Sequence, residues 1–330
     1  MNDFSQRILD WYAENARDLP WRRTQDPYAV WLSEIILQQT RIAQGTAYWQ
    51  RFMERFPTVQ DLAEASEDEV LRLWEGLGYY SRARNLHAAA RQIVAQGAFP
   101  DTLEGIRSLK GVGDYTAAAI GSICFGIPAA VVDGNVYRVL ARHFGISTPV
   151  GTTEAKKEFT LLADKLLPEK EASAFNQGMM DFGALQCTPQ HPDCLSCPLQ
   201  KSCDAFRTGR THLLPLKKTA AKPREQRLSY VYVRLDGETA IRRRGPGDIW
   251  QGLYEPLVPD PERLREASPV LLKAGVKHQL THRTILADFY LWEPSSRPEL
   301  PEGYKWIKEA ELDNYAKPRL FELLLETIQP

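Results

Sequence analysis

Two carboxylic acids, one glycine turn and four clustered cysteines are the residues of this 330-residue chain whose types and spacing could do chemistry. Glu34 is flanked by Trp31, Leu32, Ile35, Ile36 and Leu37. A carboxyl desolvated by such neighbours holds its proton nearer neutral pH and can act as a general acid. The plainer reading is a surface glutamate on a Glu34–Gln38–Arg41 polar stripe. Asp133 follows Val131-Val132 and precedes Gly134-Asn135 and the helical run Val136-Tyr137-Arg138-Val139-Leu140. Taken alone it is a helix N-cap, a role compatible with a carboxylate that also faces a substrate.

The stretch Leu109-Lys110-Gly111-Val112-Gly113-Asp114-Tyr115 opens the apolar run Thr116-Ala117-Ala118-Ala119-Ile120. A glycine turn entering a helix presents backbone N–H groups to an anion, either a nucleotide cofactor's phosphate or one in a nucleic-acid backbone. A dinucleotide fold needs a preceding strand in a βαβ unit, and Gly105-Ile106-Arg107-Ser108 offers none. The spacing Cys187-x6-Cys194-x2-Cys197-x5-Cys203 gathers four of the five cysteines, all but Cys124, into 17 residues. A disulfide framework does not suit a large chain without an export signal. Four thiolates in one loop point to a metal centre, and the spacing leaves both structural zinc and a [4Fe–4S] cluster open. His191, beside Pro192, reads as a solvated turn residue.

The elements that must position these residues fall into two parts. With 43% hydrophobic residues the chain can bury a full core, and its length suggests about two domains. No run of 18 apolar residues occurs, so a cytoplasmic protein without a membrane span is expected. A net charge of −1 argues against gripping nucleic acid by bulk charge, though not against a local basic face. Residues 1–206 read as almost all helix. Asp26-Pro27 caps a helix running from Tyr28 to about Gly45, and further helical periods lie near 66–75, 82–96, 115–125, 135–143 and 152–166. Breaks at Gly76-Leu77-Gly78, Gly126-Ile127-Pro128 and Thr148-Pro149 separate them. Residues 207–227, with Arg207, Arg210, Lys217, Lys218, Lys222, Arg224 and Arg227 against Glu225 alone, form a basic linker. From 228 to 330 the signature turns strand-like, at Tyr230–Leu235 and Ala287–Trp292, with a turn at Gly245-Pro246-Gly247. This part is expected to be a small α+β domain.

The glycine turn, the Val132-Asp133-Gly134-Asn135-Val136 segment and the cysteine loop occur in one order. Together they resemble the endonuclease III-like helix–hairpin–helix superfamily of DNA glycosylases over residues 20–205. The resemblance implies an all-α glycosylase domain with a [4Fe–4S] cluster on Cys187, Cys194, Cys197 and Cys203. It also implies that Gly111, Val112 and Gly113 hold a DNA backbone phosphate. In superfamily members that cut the strand, a lysine stands two residues after the hairpin; Tyr115 stands there in this chain and cannot form an imine, while Lys110 is out of register. Leu19-Pro20-Trp21-Arg22, Val30–Thr40 and Trp74–Leu86 are similar to the adenine DNA glycosylases, whose second domain is Nudix-like and inspects 8-oxoguanine. That branch acts on double-stranded DNA carrying adenine opposite 8-oxoguanine or guanine, and the chain is expected to work as a monomer.

Releasing adenine requires a proton on the departing base and a stabilised oxocarbenium on the sugar, which a pair of carboxyl groups can supply. By resemblance Glu34 is the acid at adenine N7 and Asp133 the oxocarbenium stabiliser, with Tyr115 and Asn135 assisting. Tyr115 has an alternative as a helix-start packing residue. Gln39 and Tyr79 occupy the family's wedge positions, where ring–base stacking supports the gap left by a flipped base. Core packing is the alternative for Tyr79. Arg82 and Arg84, two residues apart, cannot share one helix face, so one of them is expected to be solvated, and Arg82 is assigned to DNA. In the second domain, Gly252–Pro256 and Pro261–Glu266 lack the glutamate run that binds magnesium in Nudix hydrolases, so binding without pyrophosphate hydrolysis is expected. The lesion-reading loop of the family, Phe-Ser-His, reads Leu280-Thr281-His282 in this sequence, which keeps a hydroxyl and a histidine and loses an aromatic ring. His282 could equally be an unliganded loop residue. The rival readings are a related glycosylase for damaged or mismatched pyrimidines and a non-catalytic damage-binding protein.

Overall fold

The computed structural model describes residues 2–219, 223–259, 262 and 266–328. The chain forms two compact units, one of residues 1–63 and 88–219, the other of residues 64–87 and 220–330. Residues 64–87 therefore pack with the C-terminal strands.

The first unit is helical. Helix α1 (Asp3–Asn15) starts on Asn2, whose side chain accepts the Ser5 N–H at 2.8 Å. Helix α2 (Pro27–Ile36) starts on Asp26 with Pro27 in its first turn, and eight of its ten residues are buried. A helix apolar on all sides belongs in the middle of a bundle. The expected extension of α2 to Gly45 does not occur: it ends at Ile36, and α3 (Ile42–Arg55) follows a separate turn. Gln39 takes φ 57° in that turn. The break lets α3 fold back so closely that a Cβ on Gly45 would stand 2.6 Å from a Leu37 methyl. Helix α4 (Val59–Glu64) leads out of this pair, and α5 (Glu67–Leu73) and α6 (Ser81–Gln96) follow.

Helices α7 (Leu103–Ser108) and α8 (Asp114–Phe125) form the hairpin around the glycine turn. Gly111 has φ 79°, a conformation side chains resist. Helix α9 (Gly134–Phe144) packs with α10 (Thr153–Leu166), α11 (Ala172–Leu185) and α1 around Phe4, Ile8, Val139, Leu140, Phe159, Phe175 and Phe182. The cysteine loop runs from α11 to the short α12 (Asp204–Arg207). Beyond it Leu214 is buried, the Val150 N–H donates to the Leu216 carbonyl at 2.8 Å and the Lys218 N–H to the Val150 carbonyl at 3.0 Å. The segment expected as linker thus packs within this unit as far as Thr219, and Lys222 lies outside the described residues.

The second unit contains two three-stranded sheets, ordered β1-β5-β4 and β3-β2-β6. Its strands are β1 (Arg224–Val233), β2 (Glu238–Arg243), β3 (Tyr254–Glu255), β4 (Val270–Gln279), β5 (Arg283–Trp292) and β6 (Tyr304–Lys308). β1 runs parallel to β5 from Arg224 opposite Arg283 to Val233 opposite Trp292. Of the two strand segments read in the sequence, Ala287–Trp292 is the C-terminal part of β5, while Tyr230–Leu235 covers the last four residues of β1 and runs two residues past its end. Val231, Val233, Ala240 and Leu257 are buried between the layers, and helix α13 (Arg319–Ile328) adds Leu320, Phe321 and Leu324 to the core. β4 and β5 form a hairpin whose tip is Leu280-Thr281-His282, closed by the Leu280 N–H on the Arg283 carbonyl at 2.8 Å. Of the Pro261–Glu266 stretch, Pro261 and residues 263–265 lie outside the described residues.

Candidate active site

A cavity of about 430 Å³ opens in the first unit between α2, the Gln38–Thr40 turn, the start of α8, the start of α9 and α11. Glu34, Tyr115, Asp133 and Asn135 all line it, as does Gln39 at its edge. Residues some 100 apart in sequence meet there because α8 packs on α2, and α11 packs on α8 and α9.

Glu34 is half-buried and lines the cavity. Burial raises its carboxyl to about 7 from an ordinary 4.5, and the negative Asp133 adds to the rise; a hydrogen bond with Tyr115 and the charge of Arg22 oppose it. At neutral pH much of Glu34 therefore carries a proton. The Tyr115 phenol is raised well above its usual value by burial and by both carboxyls, so it stays neutral; its hydroxyl stands 3.5 Å from the Met180 sulfur.

Asp133 is the N-cap of α9. Its Oδ1 accepts the N–H groups of Asn135 at 2.9 Å and Val136 at 2.8 Å, and its Oδ2 accepts Asn135 Nδ2 at 2.8 Å. Burial pushes its pKa up, against these three donors, which favour the anion. Asn135 is held in turn by Arg138, whose Nη2 donates to Asn135 Oδ1 at 2.8 Å. The site thus has one carboxyl that keeps a proton and a second surrounded by donors to its charged form, the division of labour that separates an acid from a charge stabiliser.

Several cavity residues carry no signal of their own in the sequence. Arg17 and Arg22 both bind the fully buried carboxylate of Asp181, Arg22 through contacts of 2.6 and 2.8 Å. This gives the wall a net positive corner beside Glu34. Gln177 and Met180 project from α11 one turn apart, and Gln38 approaches Thr116 Oγ1 at 3.3 Å. The Leu19–Arg22 stretch and the polar residues interrupting α11 were the available hints.

At the hairpin, Gly111 and Gly113 are exposed and Val112 is buried. Gly113 caps α8 without a side-chain acceptor, which leaves first-turn N–H groups to an outside partner. Asp114 is paired with Lys156 at 2.7 Å and Arg107 at 3.0 Å.

Within the second unit, Tyr79 is 47% exposed with φ 48°, and its hydroxyl stands 2.6 Å from Thr281 Oγ1 at the tip of the β4–β5 hairpin. His282 is exposed beside it. Neither arginine after Tyr79 is merely solvated. Arg82 is buried over the Trp74 and Tyr79 rings, with Nη2 on the carbonyls of Leu77 and Gly78 at 3.3 Å. Arg84 is half-buried and donates to the Gln251 carbonyl at 2.6 Å. The expectation that one of them is solvated fails because both faces of this helix start are covered within the unit.

The four loop cysteines all line one small cavity of about 30 Å³ in the first unit, while Cys124 lies elsewhere. Among the described residues no group of three or more metal-binding side chains already stands in a coordinating arrangement. The donor set nonetheless fits a thiolate-bound centre: four cysteines outside any disulfide line one cavity, Asp193 is the one carboxylate lining it among the described residues, and Arg142 Nη1 lies 3.4 Å from the Cys187 sulfur. His191 is exposed and takes no part in this cavity.

Comparison with known proteins agrees with this architecture. The model of the HhH-GPD superfamily base excision DNA repair proteins matches residues 32–165, and that of the NUDIX domain matches residues 229–327. The chain is 37% identical over 254 residues to the adenine DNA glycosylase of Buchnera aphidicola (subsp. Schizaphis graminum), covering 76% of this chain and 73% of that protein. It belongs to the adenine DNA glycosylase family. The enzyme is thus a hydrolase of the base excision repair class. The human adenine DNA glycosylase is 45% identical over 213 residues, which span 61% of this chain and 39% of the human one. A solved thermostable thymine-DNA glycosylase superposes with TM-score 0.58 at 33% identity, over 62% of this chain and 95% of that one. A non-covalent endonuclease III–DNA complex gives TM-score 0.54 at 25% identity, over 62% of this chain and 94% of that one. The expected fold, a helical glycosylase domain followed by a small Nudix-like α+β domain, is the one found. No helix among the described residues is long and apolar enough to cross a membrane.

Proposed function

We propose that this enzyme removes adenine paired with 8-oxoguanine, or with guanine, from double-stranded DNA. One observation carries the reading: a protonated Glu34 and a donor-surrounded Asp133 face one cavity of about 430 Å³, room enough for a flipped base. Glu34 gives its proton to adenine N7, so the base leaves neutral as the C1′–N9 bond breaks. The Asp133 carboxylate stabilises the positive sugar until water adds to C1′ and gives up a proton to a carboxylate of the site, which restores the starting protonation. Tyr115 orients Glu34 and Asn135 orients Asp133. With Tyr115 in place of a lysine the chain forms no imine, so it releases the base and leaves the strand intact.

DNA is held at the hairpin, where the amides of Gly111, Val112 and Gly113 and the open start of α8 seat a backbone phosphate. Val112 contributes backbone alone, since its side chain is in the core. Gln39 and Tyr79 wedge into the duplex; both hold left-handed backbone, which carries each side chain out of its helix-to-helix turn. Arg82 supports this by bracing the Leu77–Gly78 turn. Thr281 and His282 read the lesion in a domain that does not hydrolyse pyrophosphate. Residues 1–206 remove the base and 228–330 inspect its partner. Cys187, Cys194, Cys197 and Cys203 hold a [4Fe–4S] cluster. When bound, the cluster ties four points of the loop into one rigid unit. The enzyme acts as a cytoplasmic monomer.

Single-turnover release is to be measured on four duplexes: adenine opposite 8-oxoguanine, adenine opposite guanine, thymine opposite guanine, and thymine glycol opposite adenine. The reading expects fast adenine loss from the first, with strand breaks appearing only after alkali. Release of a pyrimidine instead would move the chain to a sister specificity. No release from any duplex would leave a binding protein.

A further inference from the structure

Helix α9 carries two arginines one turn apart, Arg138 and Arg142, and both are buried. Arg138 lies between Cys187 and Asp133: its Nε donates to the Cys187 carbonyl at 2.8 Å and its Nη2 braces Asn135, but it makes no contact with a cysteine sulfur among the described residues. Arg142 differs. It is 3% exposed, and each of its three guanidinium nitrogens donates: Nε to the Leu214 carbonyl at 3.0 Å, Nη1 to the Thr188 carbonyl at 2.7 Å, and Nη2 to the Pro189 carbonyl at 2.9 Å. Nη1 also reaches the Cys187 sulfur at 3.4 Å. Among the described residues no carboxylate is paired with it. Neutral carbonyls solvate a guanidinium without cancelling its charge, and a buried unpaired cation is costly unless an anion lies close by. Two cysteines of the loop touch Arg142: its Nη1 stands against the Cys187 sulfur, and the Cys203 thiol donates to its backbone carbonyl at 3.5 Å.

We propose that Arg142 is the buried counter-charge of the four-cysteine centre, placed to favour its reduced form and to hold Cys187 as a ligand. This rests on the iron–sulfur reading above. Iron–sulfur potentials follow net charge and hydrogen bonds to the sulfurs. A cation fixed against one ligand sulfur stabilises whichever state carries more negative charge, which is the reduced one. Removing that cation lowers the reduction potential and makes oxidative loss of the cluster easier.

The test compares full-length wild type, Arg142→Lys and Arg142→Gln, with iron and sulfide assayed before the reduction potential is measured by voltammetry. A wild-type chain purified without iron or sulfide sinks the cluster reading itself. With the cluster present, the expected result is a more negative potential for R142Q, with R142K close to wild type. R142Q with full iron and an unchanged potential overturns the proposal. If R142Q fails to fold or to hold iron, R142K decides: retained iron at the wild-type potential supports the charge role, and equal failure of R142K shows that Arg142 acts by shape alone.

Discussion

Replacing Glu34 by Gln tests the electrostatics of the site separately from its chemistry. Burial holds this carboxyl at about 7 against an ordinary 4.5. Between those values the folded chain binds a proton that the unfolded chain has released, so stability falls as pH rises through this window and is level on either side of it. At about 1.36 kcal/mol per pH unit, the ionised side chain costs the folded state about 3 kcal/mol above the window. Glutamine has the same shape and no charge to desolvate. The advantage of E34Q over wild type in urea unfolding is therefore expected to grow by about 3 kcal/mol from about pH 4.5 to about pH 8. Over the same range the variant should bind duplex while losing base release by about 10²–10⁴-fold, the usual contribution of a general acid. A stability difference that does not change with pH would refute the account of Glu34 as a desolvated acid, even if activity were lost.

The single-turnover rate of the wild type should fall above about pH 7, approaching tenfold per unit, because Glu34 must carry its proton; a flat alkaline limb would assign the acid elsewhere. Asp181→Asn should cost about 3–5 kcal/mol by denaturant midpoint, since Arg17 and Arg22 would lose a fully buried partner. For the same pair the sign is opposite to that of Glu34. Burial raises Asp181, but the hydrogen bonds from Arg22 and Arg17 outweigh it and hold the carboxyl below 3.8, so its stabilisation is lost only as pH falls beneath that value. Gly183→Ala should cost about 1–3 kcal/mol and slow base release, because the new methyl would stand 2.6 Å from the Asn135 Cβ. Tyr79→Ala should weaken duplex binding by about 1–3 kcal/mol of lost stacking, whereas Tyr79→Phe should keep most of that affinity and lose only the hydroxyl contact with Thr281.

Much of the fold was legible because its signals are local. The caps at Asp26 and Asp133, the glycine turn of the hairpin and the change from helical to strand-like composition after the basic stretch each depend on a few neighbouring residues. The helix break at Leu37–Arg41 was missed for the opposite reason. Nothing local forbids a helix through Gln39; the turn is imposed by α3 packing back over Leu37, with Gly45 allowing the approach. Arg82 is likewise assigned to DNA by its sequence position, and only the stacking of Trp74 and Tyr79 around it shows that it is interior.

The sequence by itself determined which chemistry was available: two carboxyls in suitable local settings, four thiols in one loop, a phosphate-type turn and a tyrosine where a nucleophilic lysine would be needed. Only the tertiary structure decided that Glu34 and Asp133 share a cavity, that Glu34 holds its proton near neutrality, and that Arg17, Arg22 and Gln177 join them. It also decided that Arg142, unremarkable on its helix, meets the cysteine loop with no carboxylate paired to it among the described residues. The physical reason is range. Caps and turns are short-range contacts that spacing encodes, whereas desolvation and charge pairing depend on every group packed within a few ångströms, and those groups come from segments far apart in the chain.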